Sequence, residues 1–201
     1  MPEAGDMIRP VALLLLLATP AWMPAWAQPT TPAPHSGPAA ARQAELDRLF
    51  EALQSAPDQG GGQMVEARIR ALWGQAVSPA VALLLSRGMR NLRAEEAAEA
   101  LEDFDAALVL EPAAPDAWLA RAQAYARLGD RPAAARDLQQ ALLLEPRHFG
   151  ALLQLSELQE EAGDLAGALR SLDAALALHP QMPGGTLRRR ELARQVEGDA
   201  L

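Results

Sequence analysis

One pattern of small and large apolar side chains recurs along this chain at a fixed spacing of 34 residues. It is clearest from Pro115 to Pro180, where the loop pair Gly129-Asp130 returns one period later as Gly163-Asp164. The middle copy carries the pattern at Trp118, Ala122, Tyr125, Ala134, Leu138, Ala141 and Pro146; the flanking copies carry it at Leu84, Gly88, Ala100, Phe104, Ala107 and Pro112, and at Leu152, Ala168, Leu172, Ala175 and Pro180. A fixed period without insertions is typical of units that stack side by side, because each unit leaves an apolar face that its neighbour covers.

Each copy has the spacing of two helices joined by a short turn. In the middle copy, Trp118, Ala122 and Tyr125 recur at i, i+4 and i+7, which places them on one face of a first helix. The second helix has the same spacing at Ala134, Leu138 and Ala141. Pro146 ends the hairpin because it lacks a backbone donor, and Gly129 is able to take the left-handed conformation that a short turn requires.

This arrangement resembles the tetratricopeptide-repeat (TPR) family, which has Trp, Gly, Tyr, Ala, Phe, Ala and Pro at the corresponding positions. The copies span residues 81–114, 115–148 and 149–182. The resemblance implies an all-α fold, in which antiparallel helical hairpins stack as a short solenoid between N- and C-terminal capping helices. It also implies a non-catalytic scaffold whose partner is another protein or a peptide, held in a concave groove.

The first copy departs from the pattern at the turn between its two helices. It has Glu95-Glu96 where the other copies have Gly-Asp. We therefore expect a looser or differently shaped turn in this copy, at a cost of about 1 kcal/mol relative to glycine.

Two of the copies place an arginine on the apolar face of the first helix. An aspartate follows each arginine after 16 residues, giving Arg87 with Asp103 and Arg121 with Asp137. The third copy has Leu155 and Ser171 at these places, so the two charged residue types are present together and lost together. Because a buried charge without a partner is costly, we predict two ion pairs within hairpins, Arg87–Asp103 and Arg121–Asp137. The alternative is that these residues are separate surface charges.

A second stripe of side chains runs along each first helix, beside the residues that pack the hairpin. From the family resemblance, this stripe lines the groove and contacts the partner. Its members are Leu85, Met89, Leu92, Leu119, Gln123, Ala126, Leu153, Glu157 and Glu160, with Arg93 and Arg127 at the edge. Family members that hold a C-terminal carboxylate use Lys and Asn along this stripe, and because this chain does not, that activity is not expected. The alternative for Leu85, Leu119 and Leu153 is that they only pack against neighbouring first helices.

Residues 1–27 have the features of a secretory signal peptide. Arg9 supplies a basic flank, residues 11–18 supply the apolar core, and Ala25-Trp26-Ala27 forms a small-x-small cleavage site before Gln28. The apolar run is shorter than the roughly 20 residues that span a bilayer. We therefore expect export to the periplasm of a Gram-negative bacterium, with cleavage after Ala27.

Two alternatives for the N-terminal region stay open. The signal segment is either removed or kept as a membrane anchor, and translation starts at either Met1 or Met7. The next segment, residues 28–40, is rich in proline and poor in large apolar side chains. It is predicted to be a disordered linker, because it has too little apolar surface to offset the entropy lost on ordering.

Residues 41–80 predict a degenerate helical hairpin that caps the N-terminal end of the stack. The first helix runs from Ala41 to Ser55, and its apolar face carries Leu46, Leu49, Phe50 and Leu53. The second runs from Gln63 to Ala76, and its apolar face carries Val65, Ile69, Leu72, Trp73 and Ala76. Gly60-Gly61-Gly62 is interpreted as a flexible connector, since it lacks the Lys-Ser/Thr of a phosphate loop.

Residues 183–201 predict a C-terminal capping helix from Leu187 to Val196. Arg188-Arg189-Arg190 is interpreted as its solvated face. The alternative is that these three arginines bind an acidic partner or lipid headgroups.

Charge and motif content exclude several classes of function. The net charge is −8, and the repeats at residues 81–182 hold 9 Arg against 16 Asp and Glu, which argues against binding a phosphate backbone. The chain has no cysteine, and it has no catalytic, dinucleotide-binding or metalloprotease motif, so neither a cofactor nor a metal is expected. The alternative to a scaffold is a structural accessory of the cell envelope, which self-associates or is anchored to the membrane by an uncleaved signal.

Overall fold

The computed structural model describes residues 37–199, and this part of the chain is built from nine α-helices without a β-strand. They are α1 (Pro38–Gln54), α2 (Gln59–Gly74), α3 (Pro79–Arg93), α4 (Ala97–Leu110), α5 (Pro115–Arg127), α6 (Arg131–Leu144), α7 (Phe149–Glu161), α8 (Leu165–Leu178) and α9 (Gly185–Asp199). The predicted signal segment and residues 28–36 of the predicted linker lie outside the described residues. The predicted all-α fold is confirmed.

The repeats form three helical hairpins, α3–α4, α5–α6 and α7–α8, and each hairpin is packed by one small residue against one large residue. In the second hairpin these are Ala122 and Leu138, both fully buried. In the first hairpin they are Gly88 and Phe104, and a Cβ on Gly88 would collide with the Phe104 ring. The smaller residue on the first helix therefore offsets the larger one on the second, which keeps the interior closely packed.

The turn between α3 and α4 has the same form as the other two intra-repeat turns. The Glu96 amide donates to the Asn91 carbonyl at 2.9 Å, and the corresponding bonds of the other two repeats have the same length. Glu95 achieves this with φ at 65°, while its glycine counterparts Gly129 and Gly163 lie at 81° and 80°. The expectation of a looser turn was wrong. Glu95 takes the left-handed conformation, and the turn therefore has the same hydrogen bond as the glycine turns of the other repeats.

Replacing Glu95 with glycine is expected to raise the free energy of unfolding by about 1 kcal/mol, since glycine takes the left-handed conformation without steric cost. The matched control is Gly129→Ala, which should lower it by a similar amount. Urea denaturation followed by circular dichroism measures both. A Glu95→Gly variant no more stable than the wild type would show that the turn is unstrained.

The N-terminal hairpin, α1–α2, does not pack where the sequence places it. Its apolar residues share one core with Phe149 and Met182, which lie at the corners that flank the third repeat, and with Ala175 of α8. The α1 helix also contacts α8, and Arg147 at the second corner donates to Asp47 at 2.7 Å. The prediction of a cap on the N-terminal end of the stack is therefore wrong: the hairpin lies along the edge that carries the inter-repeat corners.

The glycine run at the start of α2 makes this position possible. Residues 60–62 are helical rather than a flexible connector, because the Asp58 side chain caps the helix by accepting from the Gly61 amide at 2.8 Å. Gly62 is buried, and a Cβ there would lie 3.0 Å from the His179 ring. Glycine thus lets the first turn of α2 approach the corner closely. The helix α1 begins earlier than predicted as well, at Pro38, since proline suits the first helical position.

The C-terminal helix α9 packs against α8 and closes that end of the stack. Leu192 is buried with Ala168 and Leu172. Arg188 and Arg189 are not simply solvated, since Arg188 donates to Glu160 at 2.8 Å and Arg189 donates to Asp173 at 2.6 Å. These ion pairs fix α9 to the third repeat.

Candidate functional site

The first helices of the three repeats lie along the inner side of the stack, where α3 contacts α5 and α5 contacts α7. Between them is an open groove of about 610 Å³, called the inner groove here. Its lining residues are Met89, Leu92, Arg93, Glu95, Gln123, Ala126, Arg127, Gln154, Glu157 and Glu161. A short apolar strip therefore lies beside charged and amide side chains.

Seven of the eleven predicted groove residues lie in this groove, namely Met89, Leu92, Arg93, Gln123, Ala126, Arg127 and Glu157. The three leucines do not: Leu119 is a buried member of the second hairpin's core, while Leu85 and Leu153 pack against neighbouring clusters. These contacts fit the alternative in which the three leucines pack against neighbouring helices. Glu160 does not line the groove; it forms an ion pair with Arg188 at 2.8 Å.

The charge of the inner groove changes along the stack, from arginines in the first two repeats to glutamates in the third. Within residues 37–199, Arg93 and Arg127 have neither a hydrogen bond nor an ion pair from their guanidinium groups. In the third repeat, Glu161 lies 3.3 Å from Arg131, and Glu157 lies 3.7 Å from Arg188. Glu95 of the groove also has no ion pair within residues 37–199, so the unneutralised charges of the groove are two guanidinium groups and one carboxylate.

Three groove residues were missed from the sequence: Glu95, Gln154 and Glu161. The signal for Glu161 was available, since it lies one period after Arg127 and two periods after Arg93. Glu95 lines the groove from a turn that has the same form as the glycine turns, which the sequence did not indicate.

The second hairpin contains the predicted pair Arg121–Asp137. The Arg121 Nε donates to Asp137 at 2.7 Å and a second guanidinium nitrogen donates to it at 3.0 Å, while a third donates to Asp105 at 2.7 Å. The hydrogen bond to Asp137 raises the pKa of the Arg121 guanidinium, although burial acts in the opposite direction. The Arg121 side chain is 18% exposed, and it also lies over the Trp118 ring, so it is held on several sides.

The first hairpin contains the predicted pair Arg87–Asp103, in a different environment. Asp103 is buried and also accepts from the Asn91 amide at 3.1 Å, whereas the Arg87 side chain is 58% exposed. The hydrogen bond that Arg87 donates to Asp103 raises the pKa of the Arg87 guanidinium. The expected position of Arg87 on the buried stripe is therefore wrong: only the carboxylate is buried.

Two features of the described residues bear on other classes of function. From residue 37 to residue 199, no cluster of His, Asp and Glu side chains has the arrangement of a metal site. None of the helices in this range is long and apolar enough to cross a membrane.

The fold and the inner groove together define a helical-repeat protein with an open inner surface. A Tetratricopeptide repeat family model matches residues 85–135 and 119–183. The chain thus belongs to the tetratricopeptide-repeat family through its three central hairpins. A search of curated proteins returned no significant match.

Solved structures show the same fold at low sequence identity. The first TPR domain of Spaghetti (RPAP3), bound to the HSP90 peptide SRMEEVD, is 21% identical with a TM-score of 0.57, and the match covers 60% of this chain and 96% of that domain. The Sgt2 TPR domain from Aspergillus fumigatus is 22% identical with a TM-score of 0.58, covering 61% and 83%. The Yersinia enterocolitica type III secretion chaperone SycD, in complex with a peptide of the translocator YopD, is 17% identical with a TM-score of 0.52, covering 61% and 94%.

Proposed function

We propose that this protein is a non-catalytic scaffold of the periplasm that binds a peptide segment or helix of a partner protein in its inner groove. The main support for this proposal is the pair Arg93 and Arg127, which present unpaired guanidinium groups from consecutive repeats beside the apolar Met89. Two cations one repeat apart, next to an apolar strip, can hold a segment that combines acidic and apolar side chains.

The structural relatives support a peptide-binding role by analogy. Two of them were solved with a peptide bound, one from HSP90 and one from YopD. Capture of a C-terminal carboxylate is not part of the proposal, because Met89, Gln123 and Glu157 stand where such domains place Lys and Asn. The groove of this chain therefore suits an internal segment of its partner.

The periplasmic location rests on the sequence of residues 1–27. The basic flank, the short apolar core and the cleavage site after Ala27 are those of an export signal. N-terminal sequencing of the native protein tests this directly. A chain that begins at Gln28 supports the proposal, and a chain that retains residues 1–27 supports the membrane-anchored alternative.

Site-specific photo-crosslinking in living cells tests the groove itself. A benzoylphenylalanine at Gln123, inside the groove, is expected to give a discrete crosslinked product. The same residue at Arg136, which is exposed on α6 and does not line the groove, is the control. Replacing both Arg93 and Arg127 with alanine should lower the Gln123 product about tenfold, if each arginine contributes about 0.7 kcal/mol. Identical products from both positions, or none from Gln123, would remove the groove as the binding site.

A further inference from the structure

The outer surface of the repeats contains a region without charge. The last five residues of α4, α6 and α8 expose only alanine, valine, leucine and glutamine; these residues, called the outer belt, are Ala106, Val109, Leu110, Gln140, Leu143, Leu144, Ala174 and Ala177. Val109 is 82% exposed and Leu143 is 73% exposed. Exposed apolar side chains of this kind mark an interaction site, because water is a poor solvent for them.

A cleft of about 550 Å³ adjoins the outer belt. Leu110 and Leu144 form one wall, and Leu46, Trp73 and Val77 of the N-terminal region form the other. The lining also contains the charged residues Arg42, Glu111, Asp116 and Glu145. A cavity of about 150 Å³ accommodates benzene, so this cleft has room for more than one aliphatic side chain. Projecting side chains and a receiving cleft are thus neighbours on the same surface.

In the third repeat, the end of the second helix is covered by other helices of this chain. Leu178 is equivalent to Leu110 and Leu144, and it packs against the apolar core of the N-terminal hairpin. The corresponding leucines of the first two repeats remain exposed. The edge is therefore covered by this chain's own helices in one repeat and uncovered in the two repeats that form the centre of the belt.

We propose that two copies of this chain associate through the outer belt, with Val109 and Leu143 of each copy entering the cleft of the other. A projection beside a cleft is self-complementary under two-fold rotation, which is the requirement for a symmetric dimer. The net charge of −8 opposes contact between copies over the acidic parts of the surface. The eight belt residues carry no charge, so contact between two belts adds no charge repulsion, and it leaves the inner groove accessible.

Sedimentation velocity on the full chain, over a concentration series from micromolar upwards, tests the proposal. The wild type is expected to form a dimer in the micromolar range. Leu143→Glu should raise the dimer dissociation constant at least a hundredfold, because it buries one carboxylate from each copy. Leu83→Glu is the matched control, since Leu83 is 66% exposed on α3 and lies outside the belt; it should leave the dissociation constant unchanged.

Three outcomes would overturn the dimer. These are a wild type that stays monomeric at the highest concentration, an association that Leu143→Glu leaves intact, and equal effects of Leu143→Glu and Leu83→Glu. Both leucines are exposed, so the two variants should melt at the wild-type temperature at concentrations where the wild type is monomeric, which circular dichroism verifies. The chain has no cysteine, so Leu143→Cys and Leu83→Cys provide a second test with a short bismaleimide crosslinker: only Leu143→Cys should give a covalent dimer.

Discussion

Replacing Phe149 with alanine is expected to detach the N-terminal hairpin from the repeats. Phe149 is 1% exposed, and its ring contacts Phe50 of α1 and Trp73 of α2 with centroids 6.5 and 5.5 Å away. Removing a buried phenylalanine costs about 3–5 kcal/mol. Because the ring joins the hairpin to a corner and is not part of a hairpin interior, this loss should fall mainly on the docking of α1 and α2.

Hydrogen exchange measured by mass spectrometry distinguishes docking from general stability. In Phe149→Ala, peptides from α1 and α2 should exchange much faster, while those from α3 to α6 keep their protection. Phe104→Ala is the matched control, because it removes the same side chain from the core of the first repeat. That variant should instead expose α3 and α4. Uniform acceleration in both variants would show that the hairpin and the repeats unfold as one unit.

The position at which this hairpin docks could not be predicted from the sequence. The helical spacing identified the apolar face at Leu46, Phe50 and Leu53, but a pattern within one helix does not specify which distant surface covers it. One signal was available. The third repeat begins with Phe149 where the second begins with Pro115, and a large aromatic side chain at a corner needs a partner.

The contacts within the repeats were predictable because they join neighbouring helices. Three copies in one sequence also show which residue types change together at equivalent positions. The joint loss of Arg and Asp in the third copy identified Arg121–Asp137, and the structure brings these side chains together.

The lining of the groove was harder to predict, because Leu119 lies between the neighbouring helix and the open surface. Whether such a residue is buried depends on how closely α5 and α7 approach, which the periodicity does not state.

Replacing Arg121 with alanine is expected to lower the free energy of unfolding by about 2–4 kcal/mol. Among the described residues, Asp137 receives its side-chain hydrogen bonds only from Arg121, so the variant leaves a buried carboxylate without a partner. The comparison is Arg87→Ala, which should cost about 1 kcal/mol or less, since Arg87 is largely exposed and Asp103 keeps its bond from Asn91. Urea denaturation of the two variants measures the difference.

A double-mutant cycle with Arg121→Ala and Asp137→Ala should give a coupling energy of about 1–3 kcal/mol. A coupling near zero would show that the two side chains stabilise the hairpin independently. The third repeat supplies a further check, because it has neutral side chains at the equivalent positions: Leu155, Gln159 and Ser171. Transferring them to the second repeat as Arg121→Leu, Tyr125→Gln and Asp137→Ser should restore stability to within about 1 kcal/mol of the wild type, since removing both charges of a buried pair is far less costly than removing one. If the triple variant is as unstable as Arg121→Ala, the loss comes from packing, either of the arginine side chain over Trp118 or of the Tyr125 ring, and not from the orphaned carboxylate.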